Sequence, residues 1–268
     1  MSARRVALNP DNHCQRDNSM RVALFATCLV DFMRPSVGFA AVHLLQQAGC
    51  EVDVPARQTC CGQPAWNNGD ANNAARLARQ VVDVFHPYEY VIVPSGSCAG
   101  MLRHHYPRVL ASDPDYADKA RELADCCYEL TGFLVDVLGV ASTGANFDGR
   151  LTWHDSCSCL REMQVSRQPR QLLQALPGCE LVELQDVETC CGFGGTFCVK
   201  FPEISTRMVD DKTNAIVATG ADMVAAADLG CLLNIAGRIS RLGLPIRVFH
   251  IAEILAGMTT VPGIGEQS

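Results

Sequence analysis

The chain repeats itself, and the repeat is built around cysteine. FATCLVD (25–31) answers WHDSCSC (153–159), TCCGQPA (59–65) answers TCCGFGG (189–195), and YVIVPSGSC (90–98) answers MVAAADLGC (223–231). The paired thiols Cys28/Cys157, Cys60/Cys190 and Cys98/Cys231 lie 129, 130 and 133 residues apart. Three landmarks that keep nearly one pitch over about a hundred residues mark an internal duplication. Gly49-Cys50-Glu51 and Gly178-Cys179-Glu180 extend the match. Two homologous lobes are expected, 20–142 and 150–260, meeting near Thr143 to Gly149, with a polar leader at 1–19 and a tail at 261–268.

Each copy alternates short apolar runs with helix-like segments. In the first, strands are expected at 21–27, 51–55 and 90–94, with helical periodicity at 36–48 and 71–85. In the second, strands are expected at 150–154, 180–184, 221–227 and 246–250. Long helices near 115–138 and 203–218 complete the layers. Alternation of this kind predicts β-α-β units, and near-continuous Val/Ile/Leu strands suit a parallel sheet buried on both faces. The predicted fold is therefore α/β, two pseudo-symmetric Rossmann-like lobes, each a small parallel sheet flanked by helices.

That fold gives the cysteines a common address. Cys28, Cys60, Cys61 and Cys98 each follow a predicted strand closely, as do Cys157, Cys190, Cys191 and Cys231. All eight then lie beyond the carboxyl ends of parallel strands, where α/β folds bind ligands. Fifteen cysteines in a chain with no secretory core in its first residues point to metal or redox chemistry rather than to disulfides. Soft thiolates select zinc, copper(I) or iron–sulfur clusters and exclude magnesium and calcium. Closely spaced Cys-x-x-Cys pairs, the usual mark of structural zinc, are absent. Adjacent cysteines are awkward around one ion and reasonable around several irons, so two iron–sulfur clusters of the 4Fe-4S type are expected, with zinc as the alternative. Gly62 and Gly192 would let each pair turn inward and offer N–H groups to sulfur.

The net charge of −7 and the lack of any Lys/Arg-rich run remove the electrostatic footprint of a nucleic-acid or anionic-membrane binder. No apolar stretch reaches the ~18 residues of a membrane span, and the cytoplasm is the expected location. A Gly-x-Gly-x-x-Gly after a strand is missing, which disfavours a nicotinamide or flavin site.

The doubled Cys, Cys-Cys-Gly, Cys arrangement resembles the CCG cysteine-rich domain family, which includes the cysteine-rich subunit of heterodisulfide reductase and the glycolate oxidase iron–sulfur subunit. Segments such as TCCGQPAWNNG, PSGSCAGM, WHDSC and TCCGFGGTFCVKFPEIS are most similar to its lactate-utilisation branch, over about residues 20–260. The resemblance implies that the eight cysteines hold iron–sulfur clusters. It also implies an electron-transfer subunit that acts with other iron–sulfur and lactate-utilisation subunits in oxidising L-lactate, a small 2-hydroxy acid. One departure is informative. The five-cysteine members end each motif in Cys-x-x-Cys, whereas Met101 and Asn234 stand here in place of the fifth thiolate. Disulfide-reductase chemistry therefore does not transfer with the four-thiolate sets. The conventional ferredoxin cysteine run is absent too, so any such clusters belong to a partner.

Other residues have competing readings. Gly96-Ser97-Cys98-Ala99-Gly100 has the shape of a nucleophile elbow, which alone would suggest a cysteine hydrolase; Leu229-Gly230-Cys231 keeps the thiol and loses the elbow. His154 reads as a hydrogen-bonded structural residue, with proton relay or metal ligand as the alternative. Met101 reads as core rather than thioether ligand. Cys126-Cys127 read as packing thiols of a helix, and Cys50 and Cys179 as small buried residues at the far edge. Cys159 and Cys198 lie near the second site in sequence and read as non-ligands, with alternate ligation as the lesser reading. Cys14 falls in the leader, and His104-His105 read as a solvated helix face.

Overall fold

Val22, Leu24, Val91, Ile92 and Val93 present aliphatic side chains to both faces of a strand, and each is at most 1% exposed. Strands of that kind need helices on both sides. In a computed structural model of the chain, whose described residues are 19–266, they build a parallel sheet of β1 (Met20–Leu24), β2 (Cys50–Asp53), β3 (Val91–Val93) and β4 (Cys127–Glu129). Cys14, the rest of 1–18 and the last two residues of the tail lie outside the described residues. A second parallel sheet repeats the first with β5 (Gly149–Trp153), β6 (Cys179–Val182), β7 (Met223–Ala226) and β8 (Arg247–His250). The strand orders are β2-β1-β3-β4 and β6-β5-β7-β8. The register repeats as well: Met20 lies beside Cys50 and Gly149 beside Cys179.

Helices Pro35–Gln47, Ala71–Phe85, Pro202–Ala218 and Leu229–Arg241 cover the sheets. Ala71–Phe85 begins where the Asp70 carboxylate accepts from the Asn73 N–H at 3.1 Å, a helix cap. It buries Ala74, Ala78, Val81, Val82 and Phe85, one stripe at helical spacing. Among the described residues, no helix is long and apolar enough to cross a membrane.

The long helix expected near 115–138 is corrected. Helix Ala117–Cys126 stops at Cys126, and Cys127–Glu129 forms β4 beside β3, with Cys127 paired to Val91. Helical segments Leu130–Gly132 and Phe133–Val137 follow. Three residues are too few to set up a strand periodicity, so sheet pairing overrides the local helical pattern. Cys126 and Cys127 remain packing thiols, donating to the carbonyls of Leu123 and Ala99.

One apolar core runs unbroken between the lobes. It joins Val22, Leu24, Leu44 and Leu45 to Leu151, Trp153, Val224, Phe249 and Leu255. A smaller core around Phe25, Phe85 and Tyr106 fills the other face of the first sheet. Glu253, fully buried, accepts from Arg34 Nε at 2.8 Å and Ser36 Oγ at 2.7 Å across the lobe boundary.

Glu129 ends β4 and caps the helical segment after it, its Oε2 accepting from Thr131 N, Thr131 Oγ1 and Gly132 N. Its other oxygen is buried without a partner, and burial pushes the carboxyl up to about 7. The folded chain therefore holds a proton here that the unfolded chain releases above its ordinary carboxylate pKa. The stabilising contribution is full below about pH 4.5, falls as pH rises to about 7, and stays low above that. Glu129→Gln keeps the accepting oxygen and cannot ionise. Urea unfolding at pH 8 should find it more stable than wild type by up to about 3 kcal/mol, with the two nearly equal at pH 4.5. Parallel curves at both pH values would show that Glu129 does not titrate in this window.

Candidate metal centre

Each thiol is delivered by the turn that leaves a strand. Cys28 opens helix Cys28–Met33 after β1, with Thr27 as its cap, and Cys157 opens Cys157–Arg161 after β5, with Ser156 as its cap. Cys98 sits in the turn Gly96–Gly100 after β3, whose cap Ser95 accepts from Cys98 N at 3.3 Å. Cys231 occupies the first turn of Leu229–Arg241 after β7. The adjacent pairs lie on loops that end in left-handed glycines, Gly62 at φ 81° and Gly192 at φ 79°. A side chain is strained in that conformation. The turn also brings Gly62 N–H to Cys60 Sγ at 3.5 Å and Gly192 N–H to Cys190 Sγ at 3.4 Å.

The eight cysteines singled out in the sequence form two quartets. In the first, Cys28 and Cys60 sulfurs are 3.8 Å apart and Cys61 and Cys98 sulfurs 3.4 Å apart. In the second, the sulfurs of Cys191 and Cys231 lie within 4.8 Å of each other, and Cys157 and Cys190 line the same cavity beside them. Donation from Cys28 and Cys61, with Gly62 N–H, pushes the Cys60 thiol far down. Cys157, Cys191 and Gly192 N–H do the same for Cys190. Cys28, Cys61, Cys157 and Cys191 are pushed up, because each shares a hydrogen bond with that neighbour and is desolvated. Each lobe thus favours the thiolate form at one sulfur, and a metal bound there would displace the protons of its neighbours. Both quartets line a single cavity of about 500 Å³ between the lobes.

The remaining candidates sort by where their bonds go. Cys159 Sγ contacts Asp228 Oδ2 and Cys198 Sγ donates to Gly195 O, so neither is turned to the second quartet. Cys50 and Cys179 begin β2 and β6, at the opposite ends from the quartets. Met101 is fully buried in the apolar core. Asn234 Nδ2 donates to Cys191 O at 2.8 Å, and in the first lobe Tyr106 OH gives Cys61 O a bond of the same length. In the second lobe the residue in the fifth-cysteine position thus steadies the loop carrying the pair, and in the first Tyr106 does so instead. Cys98 lies in an ordinary helical turn in contact with Cys61. Among the described residues only Gln164 combines a side chain with a left-handed backbone. The strained elbow of a cysteine hydrolase is therefore not formed.

Two expectations for histidine are corrected. His105 is only partly exposed, bonds to Glu162 of the other lobe at 3.0 Å and lines the cavity, so the pair 104–105 is not a solvated face. Lobe packing, invisible to local periodicity, covers it. His154 is 1% exposed, yet neither ring nitrogen has a hydrogen-bond partner. Its nitrogen lies within 4.8 Å of the sulfurs of Cys191 and Cys231. Burial, aided by Lys212, lowers its pKa to about 4, leaving a neutral imidazole.

Asp228, 3% exposed, joins the lobes. Its Oδ1 accepts from Ser95 Oγ at 2.6 Å, Ser97 N at 3.0 Å and Ser97 Oγ at 2.7 Å, and its Oδ2 from Ser156 Oγ. No motif marks it as a joint between lobes, although an acid after Ala225-Ala226-Ala227 in a buried run must find partners.

Parallel α/β lobes with a Cys, Cys-Cys-Gly, Cys set at each carboxyl edge define a duplicated cysteine-rich domain protein. The CCG cysteine-rich domain profile matches residues 22–103 and 151–236, and the chain belongs to that family. It is similar to proteins named Lactate utilization protein A, being 51% identical to that of Geobacillus kaustophilus and 48% identical to that of Bacillus subtilis. Each match spans 236 residues and 88% of this chain, with 98% and 99% of the relative covered. A solved hypothetical protein from Helicobacter pylori shares the fold at TM-score 0.60 and 11% identity, over 90% of this chain and 49% of that one. The chain thus spans about half the length of that structure.

Gly96 shows how closely the lobes approach. A Cβ there would overlap Cys159 Sγ and stand 2.9 Å from Cys159 N, on a backbone that cannot retreat. Gly96→Ala should cost roughly 1–3 kcal/mol in urea unfolding. Gly38→Ala, where a Cβ would meet only Val30 Cγ1 at 3.4 Å, should be neutral or stabilising by up to about 1 kcal/mol. Equal stability of the two variants would contradict this lobe packing.

Proposed function

We propose that the chain is a cytoplasmic iron–sulfur electron-transfer subunit of a complex that oxidises L-lactate or a related 2-hydroxy acid, with one 4Fe-4S cluster on each quartet. The observation that carries the reading is the convergence of eight free thiols, four from each repeat, on one cavity between the lobes. Four thiolates match the ligand count of such a cluster, and the donor set excludes hard cations. Cys28, Cys60, Cys61 and Cys98 would hold the first, and Cys157, Cys190, Cys191 and Cys231 the second. A cluster bound there supplies one-electron relay at a potential set by its surroundings.

The chain's own groups set those surroundings. Gly62 and Gly192 N–H groups stabilise charge on sulfur. Tyr106 and Asn234 hold the carbonyls of Cys61 and Cys191, so that each pair keeps its aim. The name shared by the relatives supports the lactate assignment. The proposed partners are other iron–sulfur and lactate-utilisation subunits, which would carry the substrate and the remaining redox groups.

One observation favours a second reading. Sulfur separations of 3.4 and 3.8 Å in the first quartet are close to the edge of about 3.8 Å expected around one tetrahedral zinc with 2.3 Å bonds. The chain would then be a zinc-stabilised scaffold in the same kind of complex.

Metal and sulfide analysis of protein purified without oxygen, with EPR before and after dithionite, separates the two. Iron near eight per chain, about four for each cluster, with a reduction-dependent signal, is the expected result; stoichiometric zinc without iron selects the scaffold. Cys61→Ser and Cys191→Ser should each remove about half of the iron, because each quartet hangs on its own sheet. Loss of all iron from either change would mean one centre shared across the cavity.

A further inference from the structure

The repeat allows the two quartets to be compared position by position, and behind the sulfurs they differ. Phe25 N donates to Ile92 O in the first sheet as His154 N donates to Ala225 O in the second, so Phe25 and His154 occupy equivalent places. Ala74 and Leu77 stand behind Gly62 as Ser205 and Met208 stand behind Gly192. That register makes Val81 the counterpart of Lys212. In the first lobe both positions are apolar and fully buried; in the second both are basic and almost fully buried. Lys212 Nζ bonds to Asp186 O at 3.0 Å. His154 has no partner at either nitrogen and lies against Cys191 and Cys231.

Burying an imidazole without a hydrogen bond is unfavourable, and the first lobe shows that a phenyl ring fills this place. Asp155 does not relieve the cost. It is held by Arg170 Nη2 at 2.6 Å and Trp153 Nε1 at 3.0 Å, and so anchors the Cys157 loop on the other side. The partner that fits two cysteine sulfurs and an imidazole nitrogen converging within 4.8 Å in a buried pocket is a thiophilic metal.

We infer that His154 is a nitrogen ligand of the metal centre in the second lobe, which makes the two centres chemically different: sulfur ligands alone in the first, sulfur and an imidazole that takes the place of one thiolate in the second. The inference rests on the reading that the quartets bind metal. An imidazole in place of a thiolate raises the potential of an iron–sulfur cluster, and a positive charge on the buried Lys212 would act in the same direction. The second centre therefore accepts an electron before the first, which gives the symmetric cavity a direction.

The test uses the full chain reconstituted with iron and sulfide, or with cobalt(II) alone if the purified protein holds zinc. Histidine is labelled with the heavy nitrogen isotope, and pulsed EPR reads nitrogen coupling to the metal. A strong histidine coupling is expected in wild type, retained in Cys61→Ser and in His105→Ala, and lost in His154→Ala. With iron, His154→Ala should lower the potential of one centre and leave the other in place, while Phe25→His raises the lower one. The wild-type spectrum decides even if a variant does not fold. Metal-loaded protein without histidine coupling, or coupling that survives His154→Ala, overturns the inference and leaves metal binding standing. A chain that takes up no metal overturns both.

Discussion

A buried carboxylate needs several donors before its burial is tolerable, and Asp228 finds them only where the two lobes meet. Ser95 and Ser97 reach it from the turn after β3, and Ser156 from the turn after β5. Ser95 and Ser156 also cap the turns that carry Cys98 and Cys157. Each hydroxyl therefore accepts from its own helix while donating to the acid. Three cysteine-bearing turns from two sheets are locked to one residue, and the cavity lined by both quartets depends on that lock. The repeat places Ser95 and Asp228 at equivalent positions, so the contact lies on the pseudo-twofold axis. Two acids there would repel, whereas a hydroxyl and an acid bond.

Around that axis the lobes share a plan and diverge in detail. The left-handed glycine after each cysteine pair and the donor to the pair's carbonyl recur in both. Tyr106 supplies that donor in the first lobe and Asn234 in the second, from different points on their helices. A duplicated fold keeps what the backbone geometry requires and leaves the residues behind the sulfurs free to change. Phe25 with Val81, against His154 with Lys212, is the result: similar quartets in very different electrostatic surroundings.

Most of the architecture could be read from the chain because strand burial and helix periodicity are local properties. Helix 71–85, the parallel strands and the eight cysteines at the carboxyl edges all follow from apolar patterning and from the pitch of the repeat. β4 escaped that reading, since Cys127–Glu129 is too short to outweigh the helical pattern before it, and only pairing with β3 makes it a strand. His105 and Asp228 escaped for another reason. Their roles are contacts between lobes, made by residues tens to more than a hundred positions apart.

By itself, the sequence determined the duplication, the parallel α/β class and the identity of the thiols, because each depends on spacing along one chain. Tertiary structure decided that both quartets open on a single cavity, that Asp228 holds the edges together, and that His154 is buried beside the second quartet without a partner. These depend on how one sheet edge faces another. Packing of that kind is fixed by the sum of many contacts over the shared core, and no local pattern records it.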